Sequence, residues 1–264
     1  MQVLCAGELL IDVVINEKPD SLAMTGHLGG SPPNVAMMLA ALGMNSHLAA
    51  LLGSDPLARF LEHQLDDLGV DRRYCAAVEA DTLLAMVLVD SEGKPHYGFR
   101  RDERLDRALG PDTFAHIPLS SFDWIHFGSL GLLYPAERRA FGALLERALE
   151  HGIFVSVDPN VRKVAGVDFD EYRRFISDVM GRVPLVKASE DDLLLLYGDD
   201  GIQQLLSRRG PAPTFVTMGS RGALLAQDGQ QAHIPAFPAR VVDTIGCGDA
   251  FMAALIYRLS REQP

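Results

Sequence analysis

Cysteine is scarce: Cys5, Cys75 and Cys247 are the three in 264 residues. Odd in number, far apart and without metal-ligand spacing, they exclude a disulfide framework and a thiolate zinc site, and they fit a reduced cytoplasm. Positive charge is also short, with 24 Lys and Arg against 35 Asp and Glu, a formal net charge of −11. Nucleic-acid surfaces hold phosphates with clustered cations, so that class is set aside. The basic pairs Arg72-Arg73, Arg138-Arg139, Arg173-Arg174 and Arg208-Arg209 lie in or beside predicted helices and are expected to face solvent. No run has the length of a membrane span, and MQVLCAGELLIDVV at the start lacks a basic segment and a cleavage site. It reads as the first core strand, and no membrane partner is expected. A GxxxxGK[ST] phosphate loop, HExxH, GxSxG, a Cys/His cluster, low-complexity linkers and internal repeats are all missing. Those absences remove the P-loop, zinc-hydrolase and serine-hydrolase readings.

What remains is 48% hydrophobic, enough to bury the core of one large α/β domain or two small ones. Val3 to Ala6 suits a buried central strand, and Leu9 to Ile15 is a second extended piece before the turn NEKPDS. A helix follows Ser31-Pro32-Pro33 and closes at Gly43, since Pro early in a helix has no N–H to leave unsatisfied. His47 to Gly53 reads as a strand and Asp55 to Leu68 as an amphipathic helix. Leu83 to Val89, the Ser91–Lys94 turn and His96 to Arg100 read as a β-hairpin projecting from the body. From Trp124 the chain alternates: strands at 124–127, 154–158, 185–188 and 214–218, helices at 136–151, 170–180 and 201–208. A short hairpin over 223–234 and a final helix from Asp249 complete the series. Such alternation builds a mainly parallel sheet with helices on both faces, with ligands at the carboxyl ends of the strands.

Val241 to Tyr257, VVDTIGCGDAFMAALIY, joins an apolar approach, a Gly-x-Gly-Asp turn and a helical run free of Gly and Pro. The first N–H groups of a helix lack internal partners and the macrodipole adds partial positive charge, so a phosphate can sit there. Gly246 and Gly248 let the backbone approach it. Asp249 either caps that helix or takes a proton from a hydroxyl attacking the phosphate.

The whole string resembles the C-terminal signature D-T-x-G-A-G-D of the PfkB carbohydrate kinases, the ribokinase-like family, with Cys247 where Ala is usual. The resemblance implies that Asp249 is the catalytic base and that the N–H groups of Gly246, Cys247 and Gly248 form an anion hole. Earlier strings match in order. Gly29-Gly30-Ser31-Pro32-Pro33-Asn34, by itself a helix start, resembles the N-terminal signature G-G-x-x-x-N and implies sugar binding by Gly29, Gly30 and Asn34. Asp12 is either a strand-end surface residue or the family's acceptor of sugar hydroxyls. The hairpin arm resembles the family's lid, in which Phe99 covers the sugar and Arg101 reaches a polar group on it, or both are structural; such lids also pair subunits, so a homodimer is expected.

Asp158-Pro159-Asn160-Val161-Arg162 resembles the DxNxR string of the fructokinase and 2-keto-3-deoxygluconate kinase branch, which adds Asn160 and Arg162 to the substrate set. Lys187 is expected to face nucleotide phosphates. Ser189 and Asp192 replace the wider family's N-x-x-E, which arranges water and magnesium, while the same acidic stretch suits the first turn of a helix. Thr217-Met218-Gly219-Ser220-Arg221-Gly222 resembles the nucleotide loop T-x-G-x-x-G, implicating Thr217, Gly219, Arg221 and Gly222. Asp243 and the Ile245 carbonyl correspond to half of a monovalent-cation site, with K⁺ the expected ion.

The expected fold is therefore a ribokinase-like three-layer α/β domain over residues 1–264, with a small β-sheet lid from about 9–28 and 83–101. Family members continue past the helix after the catalytic Asp, so the C-terminal part of the fold is expected to be missing from a chain ending at Pro264. The expected reaction moves the γ-phosphoryl group of ATP, with Mg²⁺, to a primary hydroxyl of a small sugar. Fructose is the first expectation, 2-keto-3-deoxygluconate and aminoimidazole riboside the next. The rival is a non-catalytic sugar- or nucleotide-sensing protein of the same fold.

Overall fold

The structure, a computed structural model, describes residues 1–18, 20–89, 95–241 and 244–261. Strand β1 (Gln2–Gly7) is apolar at consecutive positions because it is covered on both sides: Leu4 and Ala6 enter one core cluster, Val3 and Cys5 the other. After it come β2 (Leu10–Lys18), β3 (Ser21–Gly29), α1 (Ser31–Ala41), β4 (Asn45–Ala49), β5 (Leu51–Leu52), α2 (Pro56–Asp67) and β6 (Ala76–Ala77). The middle of the chain holds β7 (Leu83–Val89), β8 (Pro95–Arg100), α3 (Leu105–Ala108), β9 (Trp124–Gly128), α4 (Pro135–Glu150), β10 (Phe154–Asp158) and α5 (Phe169–Arg182). It ends with β11 (Leu185–Ser189), α6 (Glu190–Tyr197), α7 (Gly201–Arg209), β12 (Thr214–Thr217), β13 (Ala223–Gln227), β14 (Gln230–Ile234) and α8 (Cys247–Leu259).

The main sheet has eight strands in the order β14-β13-β12-β11-β10-β9-β1-β4. Pairing is parallel from β12 through β4 and antiparallel for the last two strands. Helices α4 to α7 cover one face and α1, α2 and α8 the other, which is the expected three-layer arrangement. From β1 the chain moves to β4 on one side and later to β9 on the other, so the strand order reverses between β1 and β9. Open α/β sheets leave a crevice at the carboxyl ends of such a pair. Here those ends are Gly7 and Gly128, and close packing explains the first glycine. A Cβ on Gly7 would lie 2.5 Å from Pro32 Cγ and 2.8 Å from the Gly128 carbonyl oxygen.

A second sheet, β3-β2-β7-β8, forms the lid. The sequence pattern marks β2 and the β7–β8 hairpin but not β3, whose residues are mostly exposed and carry no clean alternation. The Ser91–Lys94 turn lies outside the described residues. The strand expected over His47 to Gly53 is broken at Ala50: β4 joins the main sheet, and β5 pairs with β6 in a separate two-stranded ribbon. Helix α8 begins at Cys247, ahead of Asp249.

Two of the arginines expected in solvent are not there. Arg138 lies over the Phe175 ring and pairs with Glu171. Arg209 is 4% exposed, and its guanidinium donates to Thr214 Oγ1 and to the carbonyls of Met180, Val183, Pro184 and Pro213. This one side chain ties the end of α5 to the approach to β12, and burial lowers its pKa to about 10. Arg209→Ala would orphan several buried carbonyls, so it is expected to cost about 3 kcal/mol of stability. Urea unfolding monitored by circular dichroism checks this, with turnover per folded molecule unchanged.

Candidate active site

Ser31 opens α1 and is followed by two prolines, so the helix is stiff from its first residue, and Asn34 falls one turn further on. Across the crevice, Gly246 adopts the left-handed conformation, at φ 74°, that turns the chain into α8. Asp249 sits in the first turn of that helix, 8% exposed. Ser31 Oγ donates to Asp249 Oδ1 at 2.7 Å, and Asn34 Nδ2 donates to Oδ2 at 2.8 Å. Burial pushes the Asp249 carboxyl up to about 6, against these two hydrogen bonds, which favour the ionised form.

The floor of the crevice comes from the strand ends. Asp158 and Lys187 project from the same face of neighbouring β10 and β11, and Lys187 Nζ meets Asp158 Oδ2 at 2.6 Å with both side chains buried. Burial by itself would lower the Lys187 pKa; the charge and hydrogen bond of Asp158, with Asp192 and Asp249 behind it, raise it instead. A cation is therefore fixed beneath the glycine loop. A Cβ on Gly248 would lie 2.9 Å from Lys187 Nζ, so the second glycine of the motif leaves room for the ammonium group. Deeper still, His126 Nδ1 lies 3.0 Å from Ser156 Oγ, and burial and then Lys187 lower this imidazole to about 3, keeping it neutral.

At the glycine turn the Cys247 N–H donates to the Thr244 carbonyl at 3.2 Å, closing the turn. Of the cation-site pair, Ile245 is 69% exposed, and Asp243 lies outside the described residues.

On the lid side, Asp12 of β2 is half-buried beside Gly29, whose missing side chain makes room for the carboxylate. Burial raises its pKa, while the charges of His27 and then Arg162 oppose the rise. Asn160 takes a left-handed φ of 38° at the turn leaving β10, a conformation Asn tolerates. Gly30, at φ 107°, has no room for a Cβ, which would lie 2.6 Å from the Glu8 carbonyl oxygen. Phe99 is half-buried and packs down on the larger core cluster. Of the two readings for Arg101, a sugar contact or a structural role, its contacts are structural. Its guanidinium forks onto Glu137 at 2.7 and 2.8 Å, touches Asp106 at 2.9 Å and lies over the Tyr134 ring, anchoring the lid to α4.

The expected nucleotide residues divide likewise. Thr217 ends β12, and Gly219 and Gly222 take positive φ in the loop that follows. Arg221 is exposed and ion-paired with Glu190. Asp192 is 3% exposed: it accepts from Val161 N at 2.6 Å and from Ser189 N and Oγ at 2.8 and 2.7 Å, while Ser189 Oγ accepts from Asp192 N. These two residues form a capping box for α6 that also pins the DPNVR loop, and the shorter Asp carboxylate is used up in it. Sequence reasoning did not single out Ser31, Asp158 or His126 as site residues. Ser31 and Asp158 sat inside recognised motifs; His126 needed the strand register to reveal the face it shares with Asp158.

The family model described as pfkB family carbohydrate kinase matches residues 1–264. The fructokinase of Klebsiella pneumoniae is 34% identical over 261 residues, covering 96% of this chain and 83% of that protein. Among solved structures, the fructokinase from Xylella fastidiosa with bound ATP has a TM-score of 0.86 at 25% identity, covering 99% of this chain and 82% of that one. Aminoimidazole riboside kinase from Salmonella enterica gives 0.81 at 28% identity, covering 99% and 85%. A match over every residue, joined to a crevice in which both signature strings meet, leads to one conclusion: the chain belongs to the pfkB family of carbohydrate kinases.

Proposed function

We propose that the protein transfers the γ-phosphoryl group of ATP to a primary hydroxyl of fructose, with Asp249 as general base. The observation that carries this is the Asp249 carboxylate, held by Ser31 and Asn34 above the buried Lys187 cation. The sugar O–H bond breaks and its proton passes to Asp249 as the oxygen bonds the γ-phosphorus; the bond to the β-phosphate oxygen breaks and ADP leaves. A base near pH 6 is ionised at neutral pH yet basic enough to accept a proton as the new bond forms. Lys187 and the amides around Gly248 face the charge that develops on the moving group.

Asn34 gives its amide N–H to Asp249, and its oxygen is proposed to accept from a sugar hydroxyl, with Asp12, Gly29, Gly30 and Arg162 completing the proposed sugar set. Fructose is favoured by the DPNVR string and by the Klebsiella relative. The loop Thr217 to Gly222 is the proposed seat of the nucleotide. Among the described residues no group of three His, Cys, Asp or Glu is placed to cage a metal; Asp192 is engaged in the α6 cap and Asp158 Oδ2 by Lys187, while the buried Asp158 Oδ1 accepts no hydrogen bond. Mg²⁺ is accordingly proposed to be held mainly by the nucleotide phosphates, as such ions often are. When bound it offsets phosphate charge. A K⁺ requirement rests on Asp243 and Ile245 and belongs to the same proposal, as does a cytoplasmic location.

The lid excludes water, which otherwise competes as nucleophile. Its outer strand β3 shows Leu22 and Met24, each 56% exposed, and we place the homodimer contact there.

Asp249→Asn is expected to lower kcat by at least about 10²-fold while fructose affinity stays near the parent value. A coupled ADP-release assay and titration calorimetry check this; parent-rate turnover would refute the base assignment. In the unaltered protein, kcat/KM for fructose should be flat above neutrality and fall about tenfold per pH unit below about 6, because protonated Asp249 cannot accept the hydroxyl proton. Light scattering of a Leu22→Glu, Met24→Glu double variant should show monomers where the parent shows dimers.

A further inference from the structure

One buried acid has no part in this account. Glu8 follows β1 directly, is 7% exposed and bridges two segments: Oε1 accepts from Ser31 N at 3.1 Å and Oε2 from Gly131 N at 3.0 Å. What it does follows from the start of α1. Of the first four N–H positions of a helix, none has an intrahelical partner by rule. Here Pro32 and Pro33 have no N–H, and the Asn34 N–H reaches the Gly30 carbonyl at 3.2 Å. That leaves Ser31, and the N-cap residue, Gly30, has no side chain to satisfy it. Glu8 supplies the missing cap from the link between β1 and β2, and a carboxylate there suits the positive end of the helix.

The same residue, Ser31, holds Asp249 through its hydroxyl. Glu8 also secures the turn after β9, where Ser129 is held at a left-handed φ of 59° and a Cβ on Gly131 would lie 2.6 Å from Gly7 Cα. We infer that Glu8 is a positioning residue for the catalytic base: by fixing the Ser31 backbone in place, it aims the Ser31 hydroxyl at Asp249. The inference rests on the reading of Asp249 as the base. Burial pushes the Glu8 carboxyl up to about 7, with the backbone bonds it accepts opposing the rise. The charged or titratable groups facing the pair are Lys187 and Asp158 from the sheet toward Asp249, and Tyr172 of α5 and Glu137 of α4 toward Glu8. Among the described residues none of these hydrogen-bonds to either carboxylate.

In Glu8→Gln the amide can accept from one of the two N–H groups but turns its own donors toward the other, so one segment is released. The expected result is a fall in kcat of about tenfold or more, with KM for ATP changed by less than about twofold. The acidic limb of the kcat/KM profile should also move above its parent position, because Asp249 loses an oriented donor to its ionised form. Ser31→Ala should do the same, and the double variant should lose no more than about twofold beyond the worse single, as expected of residues acting through one link. Additive losses, or an unmoved limb, would overturn the proposal. If Glu8→Gln does not fold, ¹⁵N–¹H spectra of the unaltered protein decide: the Ser31 and Gly131 amides should shift together with one carboxyl titration, and amides indifferent to it would refute the assignment. That readout does not involve turnover, so it separates a failure at Glu8 from a failure of the base reading, which the Asp249→Asn assay tests.

Discussion

Two hydrogen bonds onto one carboxylate join residues 218 and 215 positions apart in the chain, and the rest of the structure is arranged to let them form. Ser31 and Asn34 come from near the start, Asp249 from near the end. A carboxylate this deeply buried is costly unless it is hydrogen-bonded or paired. The two donors limit that cost, and they leave a base whose proton affinity is still raised by its dry surroundings. Position and basicity thus have a common origin in burial.

The sheet makes this meeting unavoidable. Because the strand order reverses between β1 and β9, the loops that leave β1 and β9 diverge and open a crevice, and α1 and α8 pack side by side on the same face. The crevice is narrow enough that glycine is required where backbones touch. Gly7 faces Pro32, and Gly131 faces Gly7 itself. Beneath them the Asp158–Lys187 pair keeps a positive charge in an interior that would otherwise expel it, with a neutral His126 completing the polar seam. The buried ion pair has its value here in holding a cation at a chosen spot rather than in stability, since such pairs are weak stabilisers.

Much of this could be read from the chain alone, for identifiable reasons. Strands such as Trp124–Gly128 are apolar throughout and flanked by helical patterns, so their type and order were plain. Both signature strings were visible because a glycine turn at a helix start has few chemical purposes. What misled were residues whose type does not reveal their partner. Arg209 looked like a surface residue and is a buried tie, while Arg101, open between a sugar contact and a structural role, pairs with Glu137. Asp192, read either as arranging metal and water or as the acidic first turn of a helix, sits in the capping box of α6. Long polar side chains can satisfy themselves in several directions, and the choice is made by packing.

The amino-acid sequence by itself determined the α/β class and the lid hairpin, because local periodicity and turn chemistry act over a few residues, and through the resemblance of its signature strings it pointed to the family and to the acid at the start of the last helix. Only the tertiary structure decided that Ser31 and Asn34 grip that acid, that Lys187 lies under Gly248, and that Glu8 caps α1 from the link between β1 and β2. Those contacts depend on strand register and on close approach of segments far apart in the chain, and neither is encoded in any short stretch.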